Sequence, residues 1–296
     1  MNHATPAVPP RIDAHVHFWR YSAEGHPWIG ADMAALRQDR NPADLLPALQ
    51  AAGLDGVVAV QARGSIAETD FLLELARRHG WIRGVVGWAD LAGGDLEARL
   101  EAWRGTPRLC GLRHQVQDEP DPDAFLASPA VRRGIALLQA RGHAYDVLVR
   151  SPQMDAAAAF CARHDAHWLV LDHLGKPPLA AMASDAGAHA RWRASLDKFR
   201  DMGHVACKLS GLVTEADWRR GLQATDRADI IRCLDAALRV FGPRRLMYGS
   251  DWPVCLLAGA YGEAHQIVED WARGRLSADE RAALWGGAAA ACYGLT

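Results

Sequence analysis

The stretch Arg11-Ile12-Asp13-Ala14-His15-Val16-His17-Phe18-Trp19 is an apolar run that carries two imidazoles two residues apart. Read as a strand, it sends residues two apart to the same side, so His15 and His17 face one surface together. An open doubly wound sheet would more often follow its first strand with a glycine-rich phosphate turn. Here the first strand runs into histidines and aromatic residues instead.

Outward from this run, the rest of the chain repeats one pattern. Further short apolar runs read as strands at Gly56–Ala62, Arg83–Leu91, Leu109–Val116, Ala144–Arg150, Trp168–Leu174, Val205–Leu212 and Arg245–Trp252. Several are rich in Val, Leu and Ile without strict alternation, as parallel strands buried on both faces require. Helical patterns lie between them: Ala43–Ala52, Glu68–Arg78, Asp95–Trp103, Ala130–Ala140, Met154–Arg163, Ala190–Met202 and Ala228–Phe241. Glu263–Ala272 and Ala278–Leu284 follow the last strand, and the stretches 120–123 and 177–187 read as loops. Eight strand–helix alternations over 296 residues predict a single-domain (β/α)8 TIM barrel across residues 1–296.

Composition narrows the classes of function. Hydrophobic residues make up 50% and charged residues 23%, which suits a large core rather than a disordered chain. A formal net charge of -2 gives no electrostatic case for a nucleic-acid partner. No stretch approaches the roughly 18 apolar residues of a membrane span. Residues 1–10 hold no apolar signal-peptide core and are expected to form a flexible tail, which points to the cytoplasm. Cys110, Cys161, Cys207, Cys233, Cys255 and Cys292 are far apart and form no C-x-x-C pair, so buried free thiols are expected.

In a barrel of this kind chemistry sits at the C-terminal strand ends. Strand six ends in Asp172-His173-Leu174-Gly175-Lys176-Pro177, and strand eight in Tyr248-Gly249-Ser250-Asp251-Trp252-Pro253. His15 and His17 supply half of a divalent-metal site, His173 a ligand or a contact to a substrate carbonyl, and Asp251 a third ligand or a base for water. Singly, each has a plainer account: core histidines, strand-end caps or a turn-forming Asp before Pro. Jointly they would converge at one mouth. Arg113 and His114 end strand four, Arg150 ends strand five, Lys208 lies on strand seven, and Trp28 and Trp252 flank the first and last strand ends. These six are candidates for substrate binding. Lys208, if it points inward, must be paired.

Asp13–His17, His26-Pro27-Trp28, Gly111-Leu112-Arg113-His114, Asp172–Pro177, Lys208-Leu209-Ser210-Gly211 and Tyr248–Pro253 occur in this order over nearly the whole chain. Together they resemble the amidohydrolase superfamily, and within it the amidohydrolase 2 lactonase branch, closest to the L-fuconolactonase group. The resemblance implies hydrolysis of a 1,4- or 1,5-sugar lactone, with Asp251 and His173 catalytic and a metal on His15, His17 and Asp251. Binuclear members bridge two metals through a carboxylated lysine or a carboxylate on strand four. Strand four here has no Lys, Asp or Glu, so at most one divalent ion, zinc, is expected. The branch also includes members that work without metal, so the ion is not required by the resemblance. Two alternatives remain at this point: a metal-dependent decarboxylase of the same superfamily, and a barrel that binds a sugar acid without turnover.

Overall fold

The computed structural model describes residues 10–106, 108–182, 184–185 and 187–295. The expected N-terminal tail therefore lies almost wholly outside the described residues. Eight parallel strands follow one another in sequence order: β1 (Ile12–Val16), β2 (Gly56–Val60), β3 (Ile82–Gly87), β4 (Leu109–His114), β5 (Ala144–Val147), β6 (Leu169–Leu171), β7 (Val205–Leu209) and β8 (Leu246–Tyr248). A parallel bridge between Val16 and Trp252 closes the ring, with His17 N–H donating to the Trp252 carbonyl at 2.7 Å. The barrel read from the sequence is the fold of the chain.

The eight longest helices among the described residues pack outside the strands: α1 (Pro42–Ala51), α2 (Ile66–Arg78), α3 (Leu96–Ala102), α4 (Pro129–Ala140), α5 (Met154–Cys161), α6 (Ala188–Asp197), α7 (Ala224–Phe241) and α8 (Tyr261–Arg275). Pro42 and Pro129 open α1 and α4, where a missing N–H costs nothing. The stretches expected to be loops are partly helical: Pro122–Ala127 follows Asp121, whose side chain accepts from Ala124 N–H, and Leu179–Met182 forms one turn.

Two apolar layers hold the structure. The larger lies between strands and helices and includes Leu45, Leu72, Val85, Leu112, Ile135, Leu171, Trp192 and Leu234, all almost fully buried. Each such side chain contributes about 1.5–3 kcal/mol by leaving water. The inner layer fills the barrel with small or slender residues, among them Ala14, Val58, Val60, Val86, Val170 and Ala206. A last helix, α9 (Ala288–Tyr293), adds Ala288, Ala289, Cys292 and Tyr293 to that inner layer. It reaches the N-terminal ends of the strands because Gly286 lies against the Pro10 carbonyl, where a Cβ would stand 2.0 Å from the oxygen. One end of the barrel is thereby plugged, and the other is left for chemistry.

Every strand begins within one residue of the expected position, and all eight stop two or more residues early. The early stops share a cause. Residues that serve the open end leave ladder pairing to aim side chains across the mouth. His17, Arg150, His173 and Asp251 all lie just past a strand.

Candidate active site

A shift in register between Asp13 and Val16 re-aims the end of β1. Ile12 and Ala14 pack in the inner layer while Val16 and Phe18 pack outward. The irregularity lets His15 and His17 face inward above them, a common use of bulges near functional sites. Asp13 fixes the surrounding backbone. Its Oδ1 accepts from the N–H groups of His15 at 3.1 Å and Ser250 at 2.9 Å, and its Oδ2 accepts from Tyr261 Oη at 3.0 Å. Burial pushes the Asp13 carboxyl up to about 6 against these hydrogen bonds. Asp251 takes a left-handed backbone (φ 60°), held by its N–H donating to the His15 carbonyl at 2.9 Å.

These constraints bring His15, His17 and Asp251 together. The two Nε2 atoms lie 3.2 Å apart, and Asp251 Oδ1 lies 3.2 Å from His17 Nε2 and 3.7 Å from His15 Nε2. His17 Nδ1 sits 2.8 Å from the Val60 carbonyl, which only accepts, so Nδ1 carries the proton and Nε2 offers a lone pair. His15 Nδ1 faces Asp172 Oδ1 at 3.4 Å, and His15 Nε2 accepts from Arg113 Nη1 at 3.3 Å. Three lone-pair atoms thus converge; that of His15 is shared with Arg113 Nη1 and would pass to an ion, while those of His17 and Asp251 face each other and call for a cation or an extra proton between them. Donors around a tetrahedral zinc at about 2.0–2.1 Å stand about 3.3 Å apart, close to the observed spacing. The residues fit a divalent ion.

Burial opposes a second proton on His15 and His173. It lowers His15 well below its ordinary range despite Asp172 beside it, and lowers His173 to about 4. Burial also opposes ionisation of Asp251, but His173, His17 and His15 around it prevail and hold the carboxyl below its usual range. His173 Nδ1 lies 2.8 Å from Ser210 Oγ. With that hydroxyl donating, Nε2 is the nitrogen that carries the ring proton.

A cavity of about 260 Å³ opens above this centre, and His17, Arg113, His173 and Asp251 line its floor. Its rim divides by strand. The loops after β8, β1 and β2 contribute side chains that are apolar apart from one indole N–H: Val254, Leu257, Trp28, Met33 and Ala62. Those after β4 to β7 contribute Gln115, Gln117, Asp118, Arg150, Lys176, Thr214 and Glu215, interrupted by Leu148 and Trp218. Lys176 Nζ and Glu215 Oε1 are 3.6 Å apart. Burial raises the Glu215 carboxyl, Lys176 and Arg150 pull it down, and Asp251 raises it again.

Of the six candidates for substrate binding, Trp28, Arg113 and Arg150 line the cavity, and the other three do not. His114 is stacked on Phe125 (centroids 4.5 Å apart) and spends both ring nitrogens on Trp88 and Glu119. Trp252 turns outward to Phe18 (centroids 5.8 Å apart) and is almost fully buried. Lys208 lies fully buried inside the barrel, its Nζ on Asp146 Oδ2 and 3.2 Å from Asp172 Oδ1. Each of the three is satisfied by partners that sequence order does not reveal.

Asp146 and Asp172 are buried carboxylates beneath the cavity floor that sequence reasoning did not single out. Asp172 binds Arg113 Nη1 at 2.9 Å and sits beside His15, Arg113 and Lys208. Asp146 also accepts from Tyr293 Oη at 2.8 Å. A signal existed: a carboxylate in the middle of the apolar run Ala144–Arg150 demands a buried cation, and Lys208 is one of only three lysines in the chain. Lys176 and Glu215 were not singled out either, although both fall just beyond strand ends.

Residues 12–295 match the model of the amidohydrolase family. The chain belongs to the amidohydrolases. One relative of this amidohydrolase is an L-fucono-1,5-lactonase from Burkholderia multivorans, 58% identical over 285 residues and aligned over 96% of each chain. A second L-fucono-1,5-lactonase, from Burkholderia ambifaria, is 34% identical, covering 96% of this chain and 95% of that one. Among solved structures, an amidohydrolase from Burkholderia multivorans with bound zinc superposes with a TM-score of 0.94 at 57% identity, covering 97% of this chain and all of that one.

Proposed function

We propose that this amidohydrolase hydrolyses a sugar lactone of the L-fucono-1,5-lactone type to its sugar acid. The observation that carries the reading is Asp251, an almost fully buried carboxylate 3.2 Å from His17 Nε2 at the floor of a cavity of small-molecule size. The names of two relatives that align over nearly the whole chain support the substrate class. All six cysteines are free and buried, in keeping with a cytoplasmic location. No helix among the described residues is long and apolar enough to cross a membrane.

The chemistry follows from the geometry. Asp251 Oδ1 is turned to the imidazoles, which leaves Oδ2 to take a proton from the attacking water. As water oxygen bonds to the carbonyl carbon, the bond from that carbon to the ring oxygen breaks. Asp251 returns the proton to the leaving oxygen and ends ionised, as it began. Neutral His173 donates through Nε2 to the carbonyl oxygen as negative charge develops, a contribution typically of about 10²–10³ in rate. Arg113 adds a fixed positive charge on the same floor. A zinc ion held by His15, His17 and Asp251 would polarise the carbonyl and acidify the water.

The metal assignment has its own check. After chelation and dialysis, the protein should take up about one zinc per chain, since the three residues form one open catalytic-type site. His17→Ala should take up none at the same free zinc, by elemental analysis. Undiminished uptake in that variant would contradict the assignment.

A further inference from the structure

The two-sided rim has a chemical counterpart in the substrate class proposed above. A sugar lactone ring carries hydroxyls along one edge and fewer polar groups along the other. The arc after β8, β1 and β2 offers hydroxyls a single side-chain donor, the Trp28 indole N–H, whereas the arc after β4 to β7 is dense in donors and acceptors. Within the polar arc, Lys176 and Glu215 differ from Arg150 and Asp118. The latter pair is about half exposed and hydrogen-bonded to itself, at 3.1 Å. Lys176 and Glu215 are three-quarters or more buried, and at 3.6 Å their contact is longer than a hydrogen bond. The ammonium keeps donors and the carboxylate keeps acceptors for a ligand.

The backbone holds both side chains in register with the catalytic floor. His173, Leu174 and Lys176 all adopt left-handed φ values near 54°, which non-glycine residues rarely take. The turn is locked: Lys176 N–H donates to the His173 carbonyl at 2.8 Å, and Trp192 Nε1 donates to the Leu174 carbonyl at 2.9 Å. Gly211, at φ 68°, opens the helical turn Leu212–Glu215, and a Cβ there would stand 2.7 Å from His173 Nδ1. Lys176 and Glu215 are therefore carried by two turns that both close on His173. Strain maintained by packing at such positions is a recurrent feature of binding sites.

We infer that Glu215, held beside Lys176, is a specificity-determining residue that reads the ring hydroxyls of the lactone, while the apolar arc receives the ring edge that lacks them. The inference rests on the lactone-hydrolase reading. Loss of a hydrogen bond to a charged group corresponds to about 10–100-fold in affinity.

The test compares L-fucono-1,5-lactone with unsubstituted δ-valerolactone. In Glu215→Gln, the ratio of kcat/KM between the two should fall about 10–100-fold, mainly through KM. Lys176→Met should lower the same ratio. In parallel, calorimetry with 1,5-anhydro-L-fucitol, which keeps the hydroxylated ring and lacks the carbonyl, should show tighter binding to the wild-type protein than to Glu215→Gln. Equal losses on both lactones, an unchanged ratio, or equal binding of the anhydro polyol by wild type and variant would overturn the inference. A wild-type protein that binds the polyol but hydrolyses neither lactone would refute the lactonase reading, and the calorimetric comparison would then decide this one.

Discussion

Replacing Asp251 by Asn is expected to lower kcat for lactone hydrolysis by about 10³-fold while leaving the fold intact, as general acid–base groups contribute about 10²–10⁴. The side chain is almost fully buried, its Oδ1 lies 3.2 Å from His17 Nε2, and the surrounding imidazoles keep it ionised. An amide has nearly the same shape but cannot accept the proton of the attacking water. The backbone at this position has φ 60°, a conformation that Asn and Asp tolerate better than other non-glycine residues. Circular dichroism and thermal unfolding should therefore match the wild type. Excess zinc should not restore the rate, because the lost function is proton transfer and not only a metal ligand. Recovery with zinc would reduce Asp251 to a ligand.

The largest stability effect is expected beneath the site. Lys208, Asp146, Asp172 and Arg113 form a network with two cations and two carboxylates in the barrel interior, closed from below by Tyr293. Lys208→Met keeps the volume but leaves Asp146 without a cation and Asp172 with Arg113 alone. Breaking a buried pair from one side costs about 3–5 kcal/mol, so at pH 8 the melting temperature should fall by about 6–10 °C. The loss should also depend on pH. Burial already raises Asp146 to about 6 with Lys208 beside it, and removing the ammonium raises it further. A carboxyl whose folded pKa exceeds its unfolded value of about 3.9 gains folded-state protons as pH falls. The variant should thus regain stability on going from pH 8 to pH 5. Thermal melts of both proteins across that range check it. A deficit that is absent, or flat with pH, would show that Lys208 is not neutralising Asp146.

Particular residues show why some of this was legible in the sequence and some was not. The barrel was legible because strand periodicity and helix caps are local, and the runs that begin at Arg11, Gly56, Leu109, Ala144 and Val205 start within a residue of the strands they predict. His15 and His17 were legible because a two-residue spacing shares a face. The strand ends were not, because leaving the ladder early at His17, His173 and Asp251 is a response to the site itself. Lys208 looked like a rim residue from one dimension. Its partner Asp146 stands 62 positions away, and only the closed barrel brings the two together. His114 and Trp252 lie off the cavity for the same reason, with partners already supplied by Glu119, Trp88 and Phe18.

Lactone hydrolysis at the Asp251 centre should show as proton release from L-fucono-1,5-lactone. Followed with a pH indicator in weak buffer, the wild-type protein should release acid above the spontaneous rate and saturably in lactone, and Asp251→Asn should not. Acid release at the buffer rate with bound but unchanged lactone, or carbon dioxide release from a carboxylated aromatic in its place, would contradict the account.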